Sequence, residues 1–332
     1  MEKSNARNHH YISQVEQRLN AIDRSAVQHN QRIYKFKIVD AETKVVALTD
    51  PTGTKIEKNL AVRDLYALRM LEGGGQHNLE AAFQEYEKDI GLVTQSLIHK
   101  LQNPNGLDIK AELLKLYLLK LLNSFRNPHS IKNTLNSLQM LKGVLPGNRA
   151  LADQFVQMDE GQRTQASRIC DLYGVTEEEY TDWLKAMCLL ILQPLDHGLS
   201  FLETLVKGLM ENRSLVKDVT VFSYDVNFPE GGVLLCDRGI VLGNVDDNVR
   251  MEFFNLDSHN FASFMFIDYQ AQQLVPVPER ALEAMKRYAE KTRVSNPRND
   301  LEVLKAYNSN CVWQAAEHVY CSRSTAYGVK VS

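Results

Sequence analysis

The segment 108–125 constrains the fold most, because a helix formed by it is apolar on nearly every face. A helix of this kind is stable in water only when other elements cover it. The sequence therefore predicts that this helix lies at the centre of a helical bundle. The large apolar side chains in this segment are Leu113, Leu114, Leu116, Tyr117, Leu118, Leu119, Leu121 and Leu122.

The segments around it carry the pattern that such a bundle requires. Over 78–101, apolar residues recur every three or four positions, and Asn78 is a suitable N-cap. Thr176 and Glu179 form a capping-box pattern at the start of another helix. Prolines and glycines divide the rest of the helical region into separate segments. Further helices are predicted over 129–142, 149–157, 160–172, 176–192 and 197–212.

β-Strand patterns flank the helical middle on both sides. Residues 32–40 alternate apolar and polar side chains and, together with 44–48, predict a β-hairpin. Beyond Asp218, helices are predicted to start near Pro278 and Pro297. Short strands are predicted at 219–224, 233–236, 240–242, 251–254, 261–267 and 327–331. Strands, then helices, then strands indicate an α+β protein.

These patterns predict three regions in the chain. Residues 1–76 hold an N-terminal motif and the hairpin, and the glycines at 73–75 form a flexible joint. Residues 77–215 form a large central helical domain, and 216–332 form an α+β region that packs on the N-terminal region. We expect the N- and C-terminal β regions to be able to share one mixed sheet, with helices near the C-terminus.

Composition narrows the class of protein. The chain has 332 residues, of which 44% are apolar, and this suffices for a substantial core. No run of 18 apolar residues occurs, and the first ten residues lack the apolar segment of a secretion signal. The five cysteines are odd in number and scattered, which is typical of free thiols in a reducing cytosol. We therefore expect a cytoplasmic protein without a membrane partner.

The sequence lacks the common catalytic signatures, including a Walker A loop, GxGxxG, HExxH, GxSxG and CxxC. His9 and His10 are adjacent, so in an extended chain only one of them, preferably His10, can enter a site. The alternative is a surface-exposed pair. Arg63 and Asp64 can line a cleft, and the alternative is a solvated charge pair in a loop.

Two polar residues in the C-terminal region are further candidates for a functional site. Asp237 directly follows the apolar run 233–236, and catalytic groups often lie at the end of a buried strand. A local role in a β-turn is the alternative for this aspartate. Asn308 lies on the apolar face of the last helix, where a buried amide must be hydrogen-bonded. It indicates either a structural anchor or part of a polar site.

The order of these motifs resembles a family of uncharacterised bacterial proteins known only as a domain of unknown function. The family opens with His-His-Tyr-Val-Pro-Gln, to which the His-His-Tyr-Ile-Ser-Gln of 9–14 is similar. An Arg-Asp-Phe-Tyr-like box resembles 63–66, and a Thr-Ser-Asp-Asn-Pro-Val strand end resembles 235–240. The closing helix with its asparagine and a final Val-Tyr-Ser resembles Asn308 and 319–322. The chain departs from the family pattern at Ser13 and at 238–239.

The resemblance implies no particular reaction, but it draws together residues from three distant parts of the chain. If the N- and C-terminal β regions pack together, these residues converge in one polar site; the alternative is a purely architectural network. The expected catalytic residues are His10, Asp64 and Asp237. The expected substrate-binding residues are Arg63, Tyr66, Asn308, Lys35 and Lys37.

Two interpretations of this site remain open. In the first, the chain is a phosphodiesterase or nuclease directed against phage or mobile DNA, with His10 as general base or metal ligand. Asp64 and Asp237 would bind a divalent metal ion as cofactor, and Arg63 would stabilise the charge that develops on the phosphate. Lys35 and Lys37 on the hairpin would then follow the phosphates of a nucleic acid. In the second, the chain is a non-catalytic binding or regulatory protein, whose helical region contacts a protein partner or a second copy of itself.

Overall fold

A computed structural model describes residues 3–4, 7–70, 76–102, 108–160, 163, 165–195, 198–228, 232–246, 248–270 and 278–332. The predicted joint at 73–75 lies outside these residues. The chain forms two compact units, each assembled from separate stretches of sequence. Unit one comprises Met1–Ser13, Lys58–Val93 and Asp108–Val206, and unit two comprises Gln14–Glu57, Thr94–Leu107 and Lys207–Ser332. Residues 14–57 thus belong with the C-terminal region, whereas 1–76 was predicted as one region.

The secondary structure is mixed, as an α+β class requires. The α-helices are α1 (Gln14–Leu19), α2 (Glu80–Glu87), α3 (Ile90–Gln102), α4 (Lys110–Phe125), α5 (Ile131–Ser137), α6 (Arg149–Glu160), α7 (Ala166–Tyr173), α8 (Glu177–Leu192), α9 (Phe201–Glu211), α10 (Glu279–Ala289) and α11 (Leu301–Gln314). Short 3₁₀ turns lie at Gln28–Asn30, Ile56–Lys58, Pro128–Ser130 and Gln139–Leu141.

In the described residues, the strands of unit one have two to four residues, and those of unit two have two to nine. They are β1 (Lys3–Ser4), β2 (Asn8–His10), β3 (Arg32–Asp40), β4 (Val45–Leu48), β5 (Thr54–Lys55), β6 (Ala61–Arg63), β7 (Ala67–Met70), β8 (Gln76–Asn78), β9 (Leu215–Ser223), β10 (Leu235–Cys236), β11 (Ile240–Asp246), β12 (Val249–Asp257), β13 (Asn260–Asp268), β14 (Arg293–Ser295), β15 (His318–Cys321) and β16 (Lys330–Val331).

The helical middle of the chain agrees with its sequence pattern. Most faces of α4 are buried, as expected for a helix whose apolar residues surround it. The side chain of Thr176 accepts a hydrogen bond from the backbone N–H of Glu179, and the Glu179 carboxylate accepts one from the N–H of Thr176. The predicted capping box is therefore confirmed. The single helix predicted over 78–101 is two helices, because α2 ends at Glu87 and α3 begins at Ile90.

The hairpin forms one mixed sheet with C-terminal strands in unit two. β3 pairs antiparallel with β4 on one side and with β15 on the other, and β16 pairs parallel with β4. The sheet order is β10-β15-β3-β4-β16, with β5 also paired to β3. Both the predicted hairpin and the predicted sharing of one sheet between early and late strands are confirmed. Phe36, Leu234 and Tyr307 belong to the core of this unit.

A second sheet in unit two has the order β11-β12-β13-β9-β14. At its edge, the backbone N–H of Leu242 in β11 donates to the side chain of Gln314, which donates back to the carbonyl of Leu242. This side-chain amide takes the place that a further strand would occupy. In the residues that the structure describes, no helix is long and apolar enough to cross a bilayer.

Candidate functional site

Two of the motifs singled out in the sequence are neighbours in unit one. β2 and β6 pair antiparallel, with Asn8 opposite Arg63 and His10 opposite Ala61. One residue beyond the paired strands, the backbone N–H of Asp64 donates to the carbonyl of Arg7 at 2.7 Å. The His-His motif and the Arg-Asp motif therefore form one small two-stranded sheet.

Both histidines of this sheet are buried, so the surface-exposed alternative is wrong. His9 Nδ1 accepts the backbone N–H of Tyr66 at 2.8 Å, which places the proton of the neutral ring on Nε2. His10 Nδ1 lies 3.0 Å from the carbonyl oxygen of Asn59. A carbonyl oxygen can only accept, so Nδ1 of His10 is the donor and Nε2 of the neutral ring keeps its lone pair. Of the two, His10 has the proton arrangement that a general base at Nε2 requires.

Tyr66 is a core residue of unit one. Its ring stacks on His9 with centroids 5.5 Å apart and meets the edge of Phe83 at 4.8 Å. Its hydroxyl donates to the backbone carbonyl of Arg126 at 2.9 Å. Burial raises the pKa of Tyr66 well above its ordinary value, so the phenol stays protonated. Tyr66 thus orients His9 through its ring and backbone.

Asp64, directly after β6, pairs with two arginine side chains. Its backbone is left-handed at φ 57°, and its side chain is largely buried rather than solvated in a loop. Arg7 Nε lies 3.7 Å from Oδ1 of Asp64, and Arg63 Nε lies 3.6 Å from Oδ2. Arg168, from α7, donates its Nη2 to the backbone carbonyl of Arg63 at 2.5 Å. We call Arg7, Arg63 and Arg168 the arginine cluster.

The arginine cluster is an electropositive surface. The guanidinium groups of Arg7 and Arg63 lie beside the carboxylate of Asp64, and that of Arg168 bonds to the backbone of Arg63, so three positive charges accompany one negative charge. Of these three arginines, only Arg63 was predicted from the sequence. Arg7 directly precedes the His-His motif and could have been included on that ground, whereas Arg168 lies more than a hundred residues away on an exposed helix face and carries no local signal.

A buried ionic cluster also lies in unit one. The guanidinium of Arg126 pairs with the carboxylate of Glu87 and lies 4.9 Å from the ring centre of Phe83. Burial raises the pKa of Glu80 to about 7, against the opposing charge of Arg126 and with the help of Glu87. Oε2 of Glu80 has no hydrogen-bond partner among the described residues. Glu80 therefore changes its charge near neutral pH.

In unit two, the backbone of the segment between α11 and β15 surrounds the carboxylate of Asp237. Its Oδ1 accepts the N–H of Ala316 at 2.8 Å, and its Oδ2 accepts those of Glu317 at 2.8 Å and His318 at 2.9 Å. Three charge-assisted bonds of this kind hold the segment firmly. In this structure Asp237 is an anchor for the backbone, and its catalytic role stays a prediction.

Asn308 makes a similar set of bonds. Its Oδ1 accepts the N–H of Leu234 at 3.1 Å, and its Nδ2 donates to the carbonyls of Gly232 and Tyr327, each at 3.0 Å. Both amide hydrogens are therefore used within the chain. The expectation of a structural anchor is confirmed, whereas a contact with substrate stays a prediction.

The two lysines of the hairpin lie on β3, opposite β15. Lys35 is in register with Tyr320 and Lys37 with His318. Burial lowers the pKa of Lys35, and the charges of Glu317 and Asp237 oppose this shift. Lys37 is exposed.

The predicted site residues are thus divided between the two units. Unit one holds His10, Arg63, Asp64 and Tyr66, and unit two holds Lys35, Lys37, Asp237 and Asn308. The convergence of both sets in one pocket stays a prediction.

The histidine, cysteine and carboxylate side chains are the remaining groups with metal-binding or thiol chemistry. Over the stretches that the structure describes, no group of three or more histidine, cysteine, aspartate or glutamate side chains is arranged to hold a metal ion. All five cysteines are free and buried. Burial raises the pKa of Cys188 and of Cys311 to about 12, so that both remain thiols at neutral pH.

A groove of about 830 Å³ lies in the helical part of unit one. It runs between α5 and α8, and Phe155 of α6 and the turn 142–145 also line it. Leu145 is 74% exposed in this turn, and Val144 beside it is 43% exposed. Charged side chains of both signs surround these apolar residues, among them Lys142 and Glu178.

No protein-family model matches the chain, and no curated protein or solved structure is significantly similar to it. The resemblance to the family that opens with His-His-Tyr-Val-Pro-Gln therefore stays a prediction.

Proposed function

We propose that the chain is a nucleic-acid-directed effector, acting in the cytoplasm on phage or mobile-element DNA, that binds phosphate groups at the arginine cluster. The observation that carries the proposal is that Arg7 and Arg63 lie beside Asp64 while Arg168 bonds to the backbone of Arg63, at the end of the small sheet that bears His10. Guanidinium groups match phosphate in both charge and hydrogen-bonding geometry.

The distances within the cluster support binding of an external anion. Arg7 and Arg63 lie 3.7 and 3.6 Å from the carboxylate of Asp64, which is close enough for an ion pair but too long for a hydrogen bond. Asp64 therefore positions the two guanidinium groups without using the N–H groups that face it. A phosphate oxygen offers those groups a stronger acceptor than water does.

The hydrolytic form of the proposal gives His10 a chemical role. Its Nε2 would take a proton from the attacking water, and Arg63 would stabilise the charge that develops on the phosphate oxygens. A divalent ion in this form would obtain most of its ligands from the phosphates and water, as Mg²⁺ commonly does. The carboxylate of Asp64, beside the arginine cluster, would supply one further ligand.

Fluorescence anisotropy with labelled DNA and RNA oligonucleotides tests the binding part. We expect Arg63→Ala and Arg168→Ala each to weaken binding several-fold. Each substitution should also reduce the salt dependence, by about 0.9 in the slope of log K against log salt for duplex DNA. Arg149→Ala is the matched control, because Arg149 is an exposed arginine of unit one on α6. Equal affinity of all three variants and wild type would contradict the proposal.

A cleavage assay with the same oligonucleotides tests the hydrolytic part separately. His10→Gln should abolish cleavage and leave affinity within about twofold of wild type, because His10 is assigned to proton transfer. If wild type binds but does not cleave with Mg²⁺ or Mn²⁺ present, the hydrolytic form fails and the binding form remains.

The groove in the helical region favours a second candidate function, in which the chain is a non-catalytic regulatory protein that associates with a second copy of itself. Exposed Leu145 and Val144 at the groove are the supporting observation, since exposed apolar side chains grouped at a concave surface often mark an interface. Sedimentation of wild type should then show dimers that Leu145→Asp abolishes and Leu172→Asp, at an exposed leucine of α7, does not. A monomer at all concentrations would refute this candidate.

A further inference from the structure

A second basic surface lies in unit two, on α10 and the residues that follow it. Residues 280–298 contain six basic and two acidic side chains, although the whole chain has a net charge of −3. The charge is most concentrated in 286–293, Lys-Arg-Tyr-Ala-Glu-Lys-Thr-Arg, with four basic residues and one acidic residue. We call 286–293 the basic–aromatic segment. Its local charge is opposite in sign to that of the chain as a whole.

The cationic side chains of this segment are open to solvent. Lys286, Arg287, Lys291 and Arg293 are all exposed. Lys286 and Lys291 form no ion pair with any residue in the described part of the chain. Their charges are therefore available to an external anion.

An exposed aromatic ring lies among these cations. Tyr288 is 47% exposed, although a tyrosine usually buries most of its surface. The guanidinium of Arg293 lies 4.6 Å from the centre of its ring, a distance typical of a cation–π contact. This contact orients the ring at the surface, within the cationic group.

The apolar side of α10 is already covered. Leu282, Met285 and Ala289 pack against Val216 and Tyr269. A helix that lies on a membrane needs a free apolar face to insert among the acyl chains. Since α10 uses that face within unit two, the surface it presents is polar and cationic. This favours a polyanion in solution over a lipid bilayer.

We infer that the basic–aromatic segment is a contact surface for single-stranded nucleic acid, in which the cations bind phosphates and Tyr288 stacks on an unpaired base. A duplex keeps its bases stacked on each other, so an exposed ring adds affinity only where bases are unpaired. Basic side chains interleaved with an aromatic ring are the usual composition of single-strand binding surfaces. The inference concerns residues outside the arginine cluster and extends the proposed function to a second site.

Anisotropy titrations with a labelled oligo-dT strand and with a duplex of equal length test the inference. Tyr288→Ala should weaken binding of the single strand about 5-fold to 100-fold and leave duplex affinity within about twofold. Tyr288→Phe should bind as wild type, because it keeps the ring. Trp313→Ala is the control, since Trp313 is an exposed aromatic residue of the same unit.

Salt titrations of the same strand test the cations. The double variant Lys286→Ala/Lys291→Ala should lower the slope of log K against log salt by about 1.4, from two lost phosphate contacts on a single strand. The control is Lys55→Ala/Lys330→Ala, which removes two exposed lysines elsewhere in unit two. Circular dichroism and thermal melting of each variant verify that it is folded.

Three results would overturn the inference. One is equal single-strand affinity of Tyr288→Ala and wild type, and another is an effect of Tyr288→Ala that is as large on the duplex. The third is binding to phosphatidylserine vesicles that competes with the oligonucleotide and is lost in the double lysine variant. Arg63→Ala, measured in parallel, reports on the arginine cluster alone, so failure at one site is distinguishable from failure at the other.

Discussion

Replacement of Glu80 by glutamine should make the protein more stable at neutral and alkaline pH. Glu80 lies in the buried cluster with Arg126 and Glu87, and burial raises the pKa of its carboxyl from 4.5 to about 7. The charged form is therefore penalised in the folded state. Glutamine has nearly the same shape and carries no charge, so Glu80→Gln removes this penalty.

The size of the effect follows from proton linkage. Between pH 4.5 and about 7, folded Glu80 binds more protons than unfolded Glu80, so the free energy of unfolding falls as the pH rises. One pKa unit corresponds to about 1.4 kcal/mol, so the protonated carboxyl of Glu80 contributes a stabilisation of about 3 kcal/mol in total. It is complete below the unfolded pKa and is lost as the pH rises through the folded pKa. Most of it, about 2–3 kcal/mol, is lost between about pH 5 and about pH 8.

Urea unfolding of wild type and Glu80→Gln across this pH range provides the measurement. The tryptophan signal includes Trp183, which is buried 5.8 Å from Tyr66 in unit one. We expect the difference in unfolding free energy between variant and wild type to grow in favour of the variant by about 2–3 kcal/mol from about pH 5 to about pH 8. Glu178→Gln is the control, because Glu178 is an exposed glutamate of the same unit. A difference that is constant with pH would refute the reasoning.

Three further substitutions test other contacts by unfolding or self-association. Asp237→Asn should lower the unfolding free energy by about 2–4 kcal/mol, because an amide nitrogen cannot accept the hydrogen bonds that the carboxylate accepts. A loss below about 0.5 kcal/mol would contradict the anchoring role. Thr176→Ala should lower the unfolding free energy by about 1 kcal/mol, because it removes the capping box at the start of α8. Urea unfolding measures this change, and an unchanged unfolding free energy would contradict the prediction. Gln314→Ala should open the edge of β11 at Leu242 and produce concentration-dependent association in sedimentation, which an unchanged monomer would argue against.

The sequence predicted correctly the elements that depend on residues close together in the chain. The apolar α4, the Thr176–Glu179 capping box and the hairpin of β3 and β4 are each determined by residues within a few positions of one another. The interruption between α2 and α3 was missed, because a break of two residues does not disturb the recurrence of apolar residues on either side. Asp89, in that break, pairs with Lys115 of α4, a contact that no local pattern contains.

The candidate site was harder to predict because its contacts are long-range. β2 and β6 have three residues each, too few for alternation to reveal a strand. Arg168 contacts the backbone of Arg63 across more than a hundred residues of sequence, and an arginine on an exposed helix face has no pattern of its own. Asn308 was easier, because an amide among apolar residues must find hydrogen bonds wherever it lies.

The position of β3 within its sheet has a consequence for synthesis of the chain. β3 ends at Asp40, whereas its neighbour β15 begins at His318. At about 5–20 residues per second, a ribosome needs roughly 15–55 seconds to complete the missing partner. During that interval one edge of β3 is open to pairing with other nascent chains. Lys35 and Lys37 lie on that strand, and charged side chains on an open edge strand discourage pairing with other chains.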